Sequence, residues 1–356
     1  MDKETLSNYG WIVICVLVLA VMIALATPFG QFIADGFNSA KQGLIDTNNN
    51  ALDVALGAAG LCKHQNTEQI KDDKKCTDCG TVEYGEDTYN GIIPDGGEFL
   101  FADGTILTAG ESFPETVSES DQYFHGDYQY KYFGSYSGWR CKVNDTSKET
   151  YAPIPEYVSG VAVTCMNGGF EKCTSLTTAP IMPSTTTSML QTFKDCNNLK
   201  TYAGSTAPDG DFSGYIIPNS VTNLNGAFED CWPMTVPPTI PSNVDNMNYA
   251  FFGNYNLKTS PSIPGSVTKM DSAFRNCTAL TEAPEIPSNV TTMKYTFAGC
   301  TSFKGTITIN ANPSTYSKCF DGIDMSKITL AGTCDATLKQ KIANTGTNGS
   351  QVTIVN

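Results

Sequence analysis

From residue 166 to about residue 333 the apolar positions fall into a fixed register. Phenylalanines stand at Phe170, Phe193, Phe228, Phe251, Phe274, Phe297 and Phe320, spaced by 23, 35, 23, 23, 23 and 23 residues, one period interrupted by one insertion. Four residues before them lie Met166, Met189, Leu224, Met247, Met270, Met293 and Tyr316. Three after come Cys173, Cys196, Cys231, Asn254, Cys277 and Cys300, and six after come Leu176, Leu199, Met234, Leu257, Leu280 and Phe303. Ten before five of them is a proline, in Met182-Pro183, Ile217-Pro218, Ile240-Pro241, Ile263-Pro264 and Ile286-Pro287. A unit this short cannot bury its apolar face alone, whereas stacked copies place like residues over like and form one continuous core. The expected architecture is mainly β: a solenoid of 23-residue repeats over 154–334, with turns after each Ile-Pro step. The extra residues are expected at 203–214, a Gly/Pro/Asp/Ser-rich stretch that reads as a loop extruded from one coil, and 335–356 as a C-terminal cap.

Upstream the pattern changes. Residues 81–153 read as a small, separate β-rich domain, with a hairpin from Glu98 to Thr108 turning at Ala102, Asp103 and Gly104. Tyr128, Tyr130 and Tyr132 alternate and therefore share one sheet face, either as a platform for sugars or, with more weight, as a lid on the open end of the repeats. The uncharged run from Trp11, extended to Phe29, is long enough to span a bilayer. Asp2, Lys3 and Glu4 precede it in place of a basic leader, which favours a retained transmembrane helix at 11–29 over a cleaved signal. Residues 1–10 flank it, and a helical or polar linker fills 30–60.

Charge and cysteine content narrow the chemistry. The net charge is -14, and residues 1–150 hold 22 acidic against 10 basic side chains, so the cationic surface that nucleic acid requires is missing. Two histidines, His64 and His125, leave little for acid–base catalysis, and no nucleophile–base pair is visible, so an enzyme is not expected. Five of the 13 cysteines occupy the repeat column and are expected as buried thiols; Cys141 with Cys165 and Cys319 with Cys334 are open as disulfides. Cys62, His64, Cys76 and Cys79 form a knuckle over 61–80 whose ligand types and Cys-x-x-Cys spacing suit a structural zinc ion, with a redox pair or plain disulfide as alternatives.

Thr296-Phe297-Ala298-Gly299-Cys300-Thr301-Ser302-Phe303 and Ala273-Phe274-Arg275-Asn276-Cys277-Thr278-Ala279-Leu280 resemble the BspA-like leucine-rich repeats of bacterial surface proteins, of the type found in gut Firmicutes. The resemblance implies an adhesin-like protein with its repeats outside the cell, bound to a host or bacterial surface protein or glycan, and the apolar run 11–29 would anchor it in the bacterial cell membrane. Lys258, Thr259, Thr281 and Glu282 are the polar surface positions expected to meet such a partner. Asn8-Tyr9-Gly10 with the apolar run and Thr27-Pro28-Phe29-Gly30 resembles the N-terminal helix of Flp-type pilins, which implies self-assembly into a filament as the alternative role.

Overall fold

The computed structural model describes residues 93–355 and, before them, the backbone of three short strands, β1 (Thr67–Ile70), β2 (Asp73–Cys76) and β3 (Val82–Glu83). These form an antiparallel sheet in the order β1-β2-β3, with Thr67 opposite Cys76. Cys62, His64 and Cys79 lie outside the described residues, as do the apolar run 11–29 and the pilin-like segment. Among the described residues no helix is long and apolar enough to cross a membrane.

The second sheet has seven strands: β4 (Glu98–Leu100), β5 (Ile106–Thr108), β6 (Gln122–His125), β7 (Tyr128–Phe133), β8 (Gly138–Val143), β9 (Tyr157–Val158) and β10 (Val161–Cys165). Their order is β5-β4-β6-β7-β8-β10-β9, with the hairpin between β4 and β5 where the sequence placed it. β10 pairs parallel with β8 and continues into the first coil through the parallel bridge Cys165↔Ser188. The sheet therefore crosses residue 153, and its core of Phe99, Tyr123, Trp139 and Val163 merges with that of the repeats. A separate domain over 81–153 does not describe this arrangement, because strand pairing and burial run through the boundary. Tyr128 and Tyr130 are each 3% exposed, and Tyr128 and Tyr151 meet Phe170 at 6.3 and 5.3 Å between ring centroids. They close the end of the repeat core and are not a sugar platform.

In the repeats each coil solves its backbone hydrogen bonding in two ways. Counting from the phenylalanine, amides at offsets -4, -2, 0 and +2 donate to the following coil: Met247 to Lys269 at 2.9 Å, Tyr249 to Asp271 at 2.9 Å, Phe251 to Ala273 at 2.9 Å and Gly253 to Arg275 at 2.8 Å. Amides at -1, +1 and +3 bond within the coil, as in Ala250 to Met247, Phe252 to Tyr249 and Asn254 to Phe251. Buried amides must be paired, and this alternation pairs them without long strands. It requires left-handed backbone at -2 and +2 in every coil. Gly168, Gln191, Gly226, Tyr249, Ser272, Tyr295 and Lys318 occupy the first position, and Lys172, Asp195, Asp230, Gly253, Asn276, Gly299 and Gly322 the second, all at positive φ.

Side chains stack in register with that ladder. Successive phenylalanine rings from Phe170 to Phe320 lie 5.4 to 5.9 Å apart and nearly parallel. The cysteine column serves the same stack, since the thiols of Cys196, Cys231, Cys277 and Cys300 donate to the carbonyl of the phenylalanine in the preceding coil at 3.0 to 3.2 Å. In the coil of Phe251, where asparagine replaces the cysteine, the Asn254 side chain makes the equivalent bond to the Phe228 carbonyl. The nine cysteines from Cys141 to Cys334 are free thiols, so neither Cys141 with Cys165 nor Cys319 with Cys334 is bridged.

The insertion departs from a free loop. β11 (Thr178–Ala179) pairs with β12 (Thr201–Tyr202), and Asp211 then bridges Val236. Gly210 donates to Lys200 and accepts from Thr235, inserting an extra rung on one side while Ser188 bridges Asn223 directly on the other. Phe212 is fully buried against Tyr202 and Tyr215, because an apolar ring and a glycine at positive φ fold this half of the segment inward. One extra rung of about 4.8 Å on a single side makes a wedge. The stack ends in a parallel sheet of β13 (Gly305–Thr308), β14 (Ile328–Ala331) and β15 (Thr353–Ile354), with α1 (Ala336–Ala343) capped by Asp335. Buried Lys339 of α1 donates to the carbonyl of Val355 at 2.7 Å.

Gly253→Ala places a Cβ about 2.0 Å from Asp230 Oδ1 on backbone at φ +72°, and left-handed strain alone costs about 1–2 kcal/mol. Asn276→Gly relieves the same conformation at the equivalent position. Urea unfolding is expected to show Gly253→Ala destabilised by about that amount and Asn276→Gly unchanged or more stable.

Candidate binding surface

Apart from small buried residues such as Ser272 and Ala298, the offsets -2, +1 and +4 reach the surface, so what the sequence places there repeats along one side of the stack. Most coils carry small or polar residues at these positions. The coils of Phe228 and Phe251 carry Trp232, Tyr249, Phe252 and Tyr255 instead. Trp232, Tyr249 and Tyr255 are 42%, 41% and 44% exposed, which brings large exposed apolar side chains together on two adjacent coils. Trp232 and Tyr255 are neighbours along the +4 column, their rings 6.4 Å apart and tilted by 52°, and Trp232 Nε1 donates to Asp230 Oδ1 at 3.4 Å.

The next coils add cations. The Arg275 guanidinium lies 5.7 Å from the Phe252 ring and 4.8 Å from that of Tyr295, and Lys318 Nζ lies 5.6 Å from Tyr295. Tyr249 packs beside Phe252 at 6.0 Å, so a ladder of aromatic and cationic groups runs over four successive coils. Each such contact contributes about 0.5–1 kcal/mol at an exposed site and holds long side chains in one geometry. Toward the insertion the side chains become acidic. Lys194 bridges Glu229 at 2.9 Å across 35 residues of sequence. Burial raises the carboxyls of Glu229 and Asp230 above their ordinary values.

The residues expected to form the contact surface lie elsewhere. Lys258, Thr259 and Glu282 are exposed and Thr281 half-buried, on adjacent coils beside a shallow groove lined by Pro261, Ile263, Pro284 and Pro287. Among the described residues no ion pair joins Lys258 to Glu282, and nothing there gathers aromatic or cationic groups. The aromatic side was missed, although its signal was present: aromatic residues interrupt columns that hold small or polar residues in neighbouring repeats. No group of His, Cys, Asp and Glu among the described residues is arranged to hold a metal ion, and three of the four knuckle ligands lie outside them.

A stack of coils joined by parallel bridges, with apolar columns inside and the ladder of amides between them, defines a leucine-rich-repeat protein. Residues 224–347 match the family described as BspA type leucine rich repeat region, in six copies, so the repeats over that stretch are of the BspA type. No curated protein matches the sequence. Among solved structures, the chain is similar to a leucine-rich repeat protein of T. pallidum, with 17% identity, a TM-score of 0.44, and coverage of 64% of this chain and 97% of that one. It is also similar to a leucine-rich repeat protein from Bacteroides ovatus, at 18% identity and a TM-score of 0.42 over 59% of this chain and 55% of that one. A leucine rich cell surface protein from Faecalibacterium prausnitzii has 18% identity and a TM-score of 0.30 over 62% and 80%.

The buried thiols give the repeats a pH limit. Burial pushes Cys165 up to about 11 and Cys319 up to about 12 from the ordinary value of 9.0. A raised acid is held neutral by the fold, so its contribution is complete below pH 9.0 and is lost as pH rises toward those values. Thermal melting followed from pH 7 to 12 should show stability flat up to about 9 and falling beyond it. Thiol reagents at pH 8 should label these cysteines only after unfolding.

Proposed function

We propose that this protein is a surface-exposed binding protein whose repeat solenoid presents the aromatic–cationic side to a protein partner. The observation that carries this is the cluster of Trp232, Tyr249, Phe252 and Tyr255 continuing into Arg275 and Tyr295. Trp, Tyr and Arg are the residues most enriched where binding energy concentrates, and exposed aromatic groups gathered in this way have no role in the core beneath them. The fold supports the reading because coils tied by backbone bonds hold these side chains rigidly, which lowers the ordering cost of binding. In this reading the run 11–29 tethers the chain to a bacterial membrane with the repeats outside. Adhesion to a host or bacterial surface then gains strength from many copies on one cell.

Two measurements check the proposal. Protease shaving of intact cells should release peptides from the repeats while a cytoplasmic control stays inside; release only after lysis would rule out surface display. Cells carrying Trp232→Ser and Arg275→Gln together should adhere at least about tenfold less than wild type to a mucin- or matrix-protein-coated surface that wild type binds. Lys258→Gln and Glu282→Gln should leave adhesion unchanged. Equal adhesion by all variants would place the contact elsewhere.

A further inference from the structure

The aromatic ladder does not account for the other arginine of the chain. Arg140 and Arg275 are the two arginines present, and both lie against aromatic rings. Arg140 sits 5.2 Å from the ring of Phe133, at the end of the stack away from Arg275. In β8 the side chains of Trp139 and Cys141 enter the core, so Arg140 and Lys142 take the outer face, where Arg140 is paired with Lys131 of β7. Three cations thus share one patch of a chain whose net charge is -14. Among the described residues none of the three is in an ion pair, and Arg140 Nε is buried without a hydrogen-bond partner. Lys131 Nζ also lies 5.6 Å from the Phe133 ring, but a ring offers Arg140 Nε no acceptor, and a buried donor without one costs stability.

The first coils border the Arg140 and Lys142 part of this patch. A cleft of about 470 Å³ lies between Phe133, Tyr136, Arg140 and Lys142 on the sheet side and Asn167, Glu171 and Gln191 on the repeat side. Its polar groups are held in place. Asn167 Oδ1 accepts from Ser188 Oγ at 2.6 Å and from the Leu190 amide at 3.1 Å, while its Nδ2 donates to the Tyr136 hydroxyl at 2.7 Å. The phenol proton of Tyr136 is therefore left to serve an acceptor in the cleft. β7 and β8 are interior strands, so the cleft offers no free edge on which an extended peptide could add as a strand.

We infer that this cleft binds the acidic sugar unit of a glycan, with Arg140 and Lys142 receiving its carboxylate and Tyr136, Glu171 and Gln191 its hydroxyls. The volume suits one or two sugar rings and falls in the range of small-molecule sites. A guanidinium fork matches a carboxylate in two parallel hydrogen bonds. A neighbouring carboxylate and amide accept from hydroxyl groups, which a simple anion does not have. The site is distinct from the aromatic–cationic ladder, and its test does not depend on that surface.

The test is calorimetric titration of the detergent-solubilised full chain with methyl glucuronide, N-acetylneuraminic acid, neutral methyl glucoside and triglutamate. The inference expects saturable binding of one or both acidic sugars and none of methyl glucoside. Lys142→Gln, a partly exposed change, and Tyr136→Phe should each weaken it, with Lys142→Gln costing about tenfold or more and the melting temperature unchanged. Absence of acidic-sugar binding, binding retained in Lys142→Gln, or equal binding of triglutamate would each overturn it.

Discussion

Every coil of the repeat region depends on how it divides its amides. Of the eight successive N–H groups from offset -4 to +3, four leave the coil for its neighbour, three close turns inside it and the one at -3 donates to an Asn or Asp side chain in five coils, so these donors are paired even though hardly any residue is in a regular strand. The phenylalanine column and the thiols bonded to its carbonyls fill the space this ladder sets. Left-handed backbone twice per coil is the condition, and tyrosine, lysine and glutamine are held in it by neighbours on both sides.

That condition also decides what faces out. The residue at -2 must turn, and the +1 and +4 residues follow it around the corner, so most side chains there lie outside the core, Ser272 and Ala298 being the buried exceptions. The protein uses that surface unevenly. Small or polar residues hold most of these positions, and Trp232, Tyr249, Phe252, Tyr255, Arg275, Tyr295 and Lys318 interrupt them in the coils after the wedge. A rigid scaffold and a chemically distinct outer strip are therefore separate choices of the sequence, made on interleaved positions of one repeat.

Much of the core was legible because burial is periodic: the phenylalanine register, its methionine and leucine companions and the cysteine column could be read by counting. The left-handed positions could not, since Tyr249, Tyr295 and Lys318 have no local preference for that conformation and adopt it under tertiary constraint. The insertion was misjudged through its Gly, Pro and Asp content, which masked the burial of Phe212 and Tyr215. Lys258, Thr259, Thr281 and Glu282 could be picked out as polar repeat positions, whereas the exposure of Trp232, Tyr249 and Tyr255 depends on which offset of the turn a residue takes and could not be read by counting. The cleft joins residues 133–142 to 167–191, and reading 153 as a boundary separated its two walls.

Amide-resolved hydrogen exchange on the full chain tests the ladder most directly. The account predicts that the amides of Met189, Gln191, Phe193, Met247, Tyr249, Phe251, Met293 and Tyr295 exchange slowly and at a common rate, because opening one coil removes the acceptors of the coil before it. Rapid exchange at the -2 and +2 amides, with protection confined to the turns, would contradict it.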